Sequence, residues 1–405
     1  MQDEEDVQLG EVVKAFRLLY SLSLLQLYNG EPDAITIMED LEESFRHGPQ
    51  RLMRDSRAMM ILVDVVIGAL SKSTVLSRLI ATRCFTALTK FLTEDALGSF
   101  FEVLGKPENV SGQNEVYAQE GSVDGHESNI GGDGESEGGS DIETSTETES
   151  EEDVSDDAEE VEITNEEKDA SQSSDNEEDD EELSKFNSLL ADVLQVQTKE
   201  EAGKQDGSSD ESDMDDEQMM ALDSHLTNVF KERKKVASRK RQHKDAKQTM
   251  IVFKNRILDL FLIYIRNQHT NPLSVTLILP LLQLMRTTSS KQLAEKAFNH
   301  LKQYYDTCKS KGVPREVRDE VLWGNLKAIH EEAAKATSKM LQSACSRSSL
   351  FIAKLLVLRD KSNYDGVVEQ YASSQKSWYM DPKSKINPTM FTEWISWSIG
   401  TRTRK

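Results

Sequence analysis

Nine lysines and arginines crowd into residues 231–247: Lys231, Arg233, Lys234, Lys235, Arg239, Lys240, Arg241, Lys244 and Lys247. A run this dense can neutralise several phosphates of DNA or RNA, with binding that is steep in salt and tolerant of sequence. Its two clusters also have the form of a bipartite nuclear import signal. Just upstream, Asp213, Asp215, Asp216 and Glu217 precede a helix whose apolar positions Met219, Leu222, Leu226, Val229 and Phe230 share one face, a surface for a partner. That helix is expected to end in the first basic cluster, Lys231 to Lys235. Acids at a helix start and bases at its end both complement the macrodipole, so this part of the charge order has a purely structural explanation. The explanation stops at Lys235. The five bases beyond it belong either to a solvated helix face or to a site for a polyanion.

Other residue types that could carry chemistry lack the spacing for it. Asp213-Met214-Asp215 has the look of a two-metal motif, but phosphoryl transfer needs carboxylates held about 4 Å from paired metals on a rigid scaffold. The histidines, among them His225, His269, His300 and His330, lie singly, with no second ligand at i+3 or i+4. No Gly-x4-Gly-Lys-Ser/Thr phosphate loop and no strand-framed Gly-x-Gly-x-x-Gly is present. No catalytic residue, metal site, cofactor or small-molecule substrate is therefore expected, and the chain reads as a non-enzyme. Ser140, Ser150, Ser174, Ser208 and Ser212 each have an acid three residues on, the pattern an acidophilic kinase reads, and are phosphorylation candidates. Trp394 and Trp397, three apart, are expected to pack a helix rather than stack on bases.

The formal charge of −24 is a sum of very unequal parts. Residues 1–110 hold 11 bases and 17 acids, residues 111–220 hold 4 and 39, and residues 221–405 hold 33 and 16. The acidic balance of the whole thus hides a basic C-terminal part, and the middle block could screen very basic client proteins. Cys84, Cys308 and Cys345 are far apart and read as reduced, buried thiols of a cytosolic or nuclear protein. Met1 to Asp6 carries four acids where an export signal would need bases, and no apolar run reaches the ~20 residues of a membrane span. The chain is expected to be soluble, with no membrane contact.

The elements that must position these residues are helices. Val12, Val13, Phe16, Leu19 and Tyr20 recur at helical spacing until Asn29-Gly30. Pro32 opens a second helix with Ile35, Met38, Leu41 and Phe45 on one face, and Met59 to Leu70 is apolar nearly all round. Thr74 to Phe91 follows with Leu76, Leu79, Ile80, Cys84 and Leu88 inward, and then Thr93 is an N-cap before Glu94 and Asp95. Helical periodicity resumes at Met250 to Arg266, Pro272 to Met285 and Leu293 to Cys308, with a further helix from Pro314 and two or three between Val317 and Leu358. No segment alternates as a strand would. The expected fold is all-α, with HEAT- or armadillo-like helical repeats interrupted by a long disordered acidic insert. Residues 1–110 form a helical-repeat segment, 111–217 the acidic tract with a short amphipathic helix near 183–196, 218–248 the amphipathic helix and basic run, and 249–405 a C-terminal helical-repeat segment.

The tract closing in Ser-Asp-Met-Asp-Asp-Glu-Gln-Met-Met-Ala-Leu-Asp (212–223), followed by Val229-Phe230-Lys231-Glu232-Arg233-Lys234, resembles the DNA polymerase phi / Myb-binding protein 1A family. Leu62-Val63-Asp64-Val65-Val66 and Phe91-Leu92-Thr93-Glu94-Asp95-Ala96-Leu97 are similar to that family as well. Its members are longer, so the resemblance implies a C-terminal fragment of such a protein. It also implies a nucleolar, DNA-binding regulator of ribosomal RNA gene transcription and ribosome biogenesis. Ribosomal DNA or pre-rRNA and transcription and ribosome-assembly proteins are the implied partners. The alternative is an acidic chaperone for histones or ribosomal proteins. A DNA-directed DNA polymerase, as the family name suggests, ranks last, because nothing in the sequence looks like a palm whose carboxylates sit on strands.

Overall fold

Local chemistry starts the helices where the sequence places them. The hydroxyl of Thr93 accepts the backbone N–H of Ala96 at 3.2 Å, Thr74 accepts that of Ser77 at 3.3 Å, and Asp55 accepts those of Arg57 and Ala58. Gly30, with φ at 82°, ends the first helix in a conformation that side chains with a Cβ avoid. A computed structural model describes residues 2–46, 48, 55–117 and 216–402. Among them are thirteen α-helices and no strand: α1 Gln2–Tyr28, α2 Asp33–Phe45, α3 Ser56–Ser71, α4 Val75–Leu88, α5 Glu94–Gly105, α6 Val110–Tyr117, α7 Asp216–Gln268, α8 Ile278–Thr287, α9 Lys291–Lys311, α10 Asp319–Ala334, α11 Lys339–Arg359, α12 Asn363–Met380 and α13 Thr389–Arg402. A 3-10 turn, Pro272–Leu277, leads into α8. None of the described helices is long and apolar enough to cross a membrane. The acidic tract from residue 118 to 215 and the short helix expected near 183–196 lie outside the described residues.

The chain divides into two compact units, residues 1–121 with 237–405 and residues 122–236. In the first, successive helices pair with near neighbours, as in stacked helical repeats: α1 with α2 and α4, α2 with α3, α3 with α4 and α5, and later α8 with α9 and α10, α10 with α11, and α11 with α12 and α13. The second unit is described only from Asp216 onward, as the start of α7.

Side chains from the α7 half close onto the N-terminal helices. Arg256 Nη1 donates to the carbonyl oxygens of Leu70, Ser71 and Lys72 at 2.6, 3.4 and 3.0 Å, so a guanidinium satisfies the free carbonyls at the end of α3 and complements its dipole. Phe261 meets Phe100 and Phe101 edge-on at 6.0 and 5.7 Å. Lys254 and Glu108, both buried, pair at 3.4 Å, and the other Glu108 oxygen accepts the N–H and hydroxyl of Ser289. Burial pushes the Glu108 carboxyl up, but hydrogen bonds from Thr288 and Ser289 and the Lys254 charge together hold it below its usual range. A further stitch is exposed, Arg318 to Glu94 at 3.0 Å.

Several sequence expectations are corrected here. In α2 the inward residues are Ala34, Leu41 and Ser44, while Ile35 is exposed. In α4, Leu76 and Leu79 face out, and Ser77, Ala81, Cys84, Phe85 and Leu88 face in. Ser77 can be buried because its hydroxyl pairs with the capping Thr74 at 2.6 Å, which leaves the small residue toward the core. Pro314 lies in the connection before α10 rather than at a helix start. Pro280 sits in the first turn of α8, where its missing N–H has no intrahelical partner to lose. Residues 110–117 are helical, so order runs past the boundary placed at 110. The three cysteines are free and buried, and burial pushes Cys84 and Cys345 up to about 12 and Cys308 to about 11.

Candidate nucleic-acid interface

Helix α7 has no glycine or proline between Asp216 and Gln268, and it does not stop at Lys235 as the charge order had suggested. From Ala246 onward its inward positions are core: Met250, Phe253, Ile257, Phe261 and Tyr264 are buried. With that half held by packing, each preceding residue adds to an existing helix and escapes the cost of nucleation. Lysine, arginine, glutamine and alanine propagate it at little cost. The basic segment is therefore helical even though it has almost no apolar side chain to bury.

In the first unit, Arg239, Arg241 and Lys244 are exposed, and Lys240 and Lys247 are half-buried. Lys240, Lys244 and Lys247, spaced four and three, form one stripe of the helix. Arg241 reaches Asp245 at 4.0 Å, an exposed pair worth no more than about 1 kcal/mol. At the end of the second unit Lys231, Arg233, Lys234 and Lys235 are exposed as well, and so is Phe230. The side chains of Met219, Leu222, Leu226 and Val229, like Ser140, Ser150, Ser174, Ser208 and Ser212, lie outside the described residues. Long flexible cations on a solvated helix can meet phosphate oxygens but carry no fixed base-reading geometry, so the segment suits backbone contact more than sequence readout.

Two of the lone histidines, His300 and His330, have structural tasks. His300 Nε2 donates to the carbonyl of Leu258 at 2.8 Å. His330 is held by Ser374 on Nδ1 at 2.7 Å and Ser349 on Nε2 at 2.8 Å, and Tyr371 bonds Ser349 at 2.6 Å. Ser374 spends its proton on the carbonyl of Gln370, so it accepts from Nδ1, and the chain runs from Tyr371 through Ser349 to Nε2. Trp394 stacks on Tyr371 at 4.8 Å, which places both aromatic rings in helix packing. This network was invisible in the sequence, because its members are spread over three helices. Asp40 and Asp64 share a cleft of about 210 Å³ and both are pushed up, first by burial and then partly by neighbouring acids. No histidine or cysteine lines that cleft, and no group of residues able to hold a metal occurs among those described.

An all-α stack of helical repeats that presents a basic helical segment is the class of protein these features define. Residues 2–265, more than half of the chain, match the DNA polymerase phi family, and the chain belongs to that family. Among curated proteins it is similar to the rDNA transcriptional regulator POL5 of Saccharomyces cerevisiae, 28% identical over 202 residues that cover 42% of this chain and 19% of the relative. The rDNA transcriptional regulator pol5 of Schizosaccharomyces pombe is 29% identical over 114 residues, 27% of this chain and 12% of its own length. The chain thus spans less than a fifth of either relative. No solved structure matches it.

Proposed function

We propose that the chain serves as a non-catalytic helical scaffold in the regulation of rDNA transcription, and that its basic segment contacts ribosomal DNA or pre-rRNA in the nucleolus. The observation that carries this reading is the helical presentation of Arg239, Arg241 and Lys244 to solvent, with Lys240 and Lys247 half-buried on the same helix, next to an anchored core, in a member of a family whose similar relatives are named rDNA transcriptional regulators. Transcription and ribosome-assembly proteins are the partners this role requires, and ribosome biogenesis is its setting. The family's name mentions a polymerase, whereas both similar relatives are named transcriptional regulators, and the non-catalytic reading follows the relatives. A second reading, an acidic chaperone for histones or ribosomal proteins, is favoured by one observation, the 39 acids against 4 bases in residues 111–220.

Binding to a ribosomal DNA duplex, to pre-rRNA and to core histones, measured across a salt titration with and without residues 111–220, separates the two. Nucleic-acid binding that survives or tightens on deletion supports the regulator. Histone binding that vanishes on deletion, with no affinity for either nucleic acid, overturns it in favour of the chaperone.

A further inference from the structure

Away from the basic segment, helices α9 and α11 frame a groove of about 320 Å³. Lys302 and Lys309 stand on one wall and Arg347 and Lys354 on the other, and the members of each pair are seven residues apart. Seven residues are two helical turns, about 10.5 Å, so each wall carries its two cations on one face. Asp306 is the acid among the residues lining the groove. Phe351 and Leu358, the latter 71% exposed, line the groove as apolar residues one turn on from Arg347 and Lys354 along α11. The Phe351 ring is wedged against Tyr304 and Tyr305 at 5.4 and 4.8 Å, and Tyr305 is fixed by Ser348 at 2.6 Å, so the floor is preorganised. Arg347 lies over the Phe298 ring at 6.0 Å, which restrains its guanidinium. Burial, with repulsion from Lys309 added, lowers the Lys354 ammonium against the pull of Glu393.

Four cations around an apolar floor repel one another and gain from any ligand that brings anions to both edges and apolar groups to the centre. A nucleic-acid backbone supplies the anions but would leave Phe351 and Leu358 uncovered. We propose that this groove binds an acidic amphipathic helix of a partner protein. The apolar stripe of that helix seats on Phe351 and Leu358, while Asp or Glu side chains two turns apart face Lys302 and Lys309 on one edge and Arg347 and Lys354 on the other. This site is independent of the nucleic-acid reading, because it rests on other helices and another ligand chemistry.

The test uses the full chain and a fluorescein-labelled synthetic helix of about 14 residues, with leucines on one face and glutamates on both edges, followed by anisotropy at low salt. A glutamate oligomer of equal length and a peptide with lysine for every glutamate are the comparators. The amphipathic peptide should bind at least about tenfold more tightly than the oligomer, since only it covers the floor. Arg347→Glu with Lys354→Glu should weaken it about tenfold or more, an effect that shrinks as salt rises. Leu358→Ser, at an exposed position that leaves the fold intact, should weaken it about threefold or more. Replacing Lys240, Lys244 and Lys247 by alanine should leave it unchanged. Equal binding of the glutamate oligomer, indifference to the groove substitutions in chains with an unaltered melting curve, or loss of peptide binding with the α7 lysines would each overturn the proposal.

Discussion

The stripe of Lys240, Lys244 and Lys247 offers a quantitative check on how the basic helix works. Alanine at all three positions keeps the helix, because alanine has the highest helical propensity, and leaves the core residues from Met250 onward untouched. Each lysine that contacts a phosphate releases about 0.9 counterion, so loss of three contacts should reduce the slope of log affinity against log salt by about 2.7. Extrapolated from 1 M, that slope difference corresponds to roughly 500-fold weaker binding near 0.1 M salt and roughly 80-fold near 0.2 M. These figures are ceilings, reached when all three lysines touch phosphate at once, which their shared face allows. The assay is fluorescence anisotropy on one labelled duplex from about 0.05 to 0.3 M salt, with circular dichroism to verify helix content. Parallel salt curves for the two proteins would refute counterion release as the basis of binding. Superimposed curves would remove the stripe from the interface altogether.

Reversing the charge of Lys234, Lys235, Arg239, Lys240 and Arg241 should move a tagged protein out of the nucleus, and unchanged nuclear accumulation would place the import signal elsewhere. Glu108→Ala leaves the Lys254 ammonium buried without its partner and should cost about 3 kcal/mol or more, read as a lower denaturation midpoint at constant slope; an unchanged midpoint would show that the stitch contributes nothing. Because the folded Glu108 carboxyl is held low, its contribution is present above the ordinary glutamate range and is lost as pH falls toward its folded value, so Glu108→Gln should flatten the acid limb of stability, and an unaltered limb would contradict the assignment. His330 is pushed down to about 3 by burial and stays neutral in the fold, whereas the unfolded chain takes up a proton near 6.5. Stability should therefore drop as pH falls below 6.5, by about 2 kcal/mol at pH 5, and stop dropping on this account below the folded value. His330→Gln should remove that dependence, and identical pH profiles for the two proteins would sink the reasoning.

Features that neighbouring residues decide among themselves were legible in the sequence. Thr93 caps a helix because its hydroxyl reaches an N–H three residues on, Gly30 ends one because it adopts a positive φ freely, and residues 231–247 are basic wherever the chain goes. Family membership was legible for the same reason, in contiguous runs such as residues 212–234. Local pattern failed where apolar residues lie on more than one face of a helix. Leu76 and Leu79 looked as fit for the core as Ala81 and Phe85, and the neighbouring helices chose the latter pair, with Cys84 donating to the carbonyl of Ala15 on α1. Charge order suggested a helix end at Lys235, but the packing of Met250 to Ile265 sustains α7 through the basic run. Tertiary structure alone joined residues up to 117 to those beyond 237, through Glu108 with Lys254 and Arg256 with the end of α3. It alone set His330 among Ser349, Tyr371 and Ser374, and gathered the four cations of the α9–α11 groove. Contacts between residues distant in the chain depend on how whole helices pack, and no spacing within a single helix encodes them.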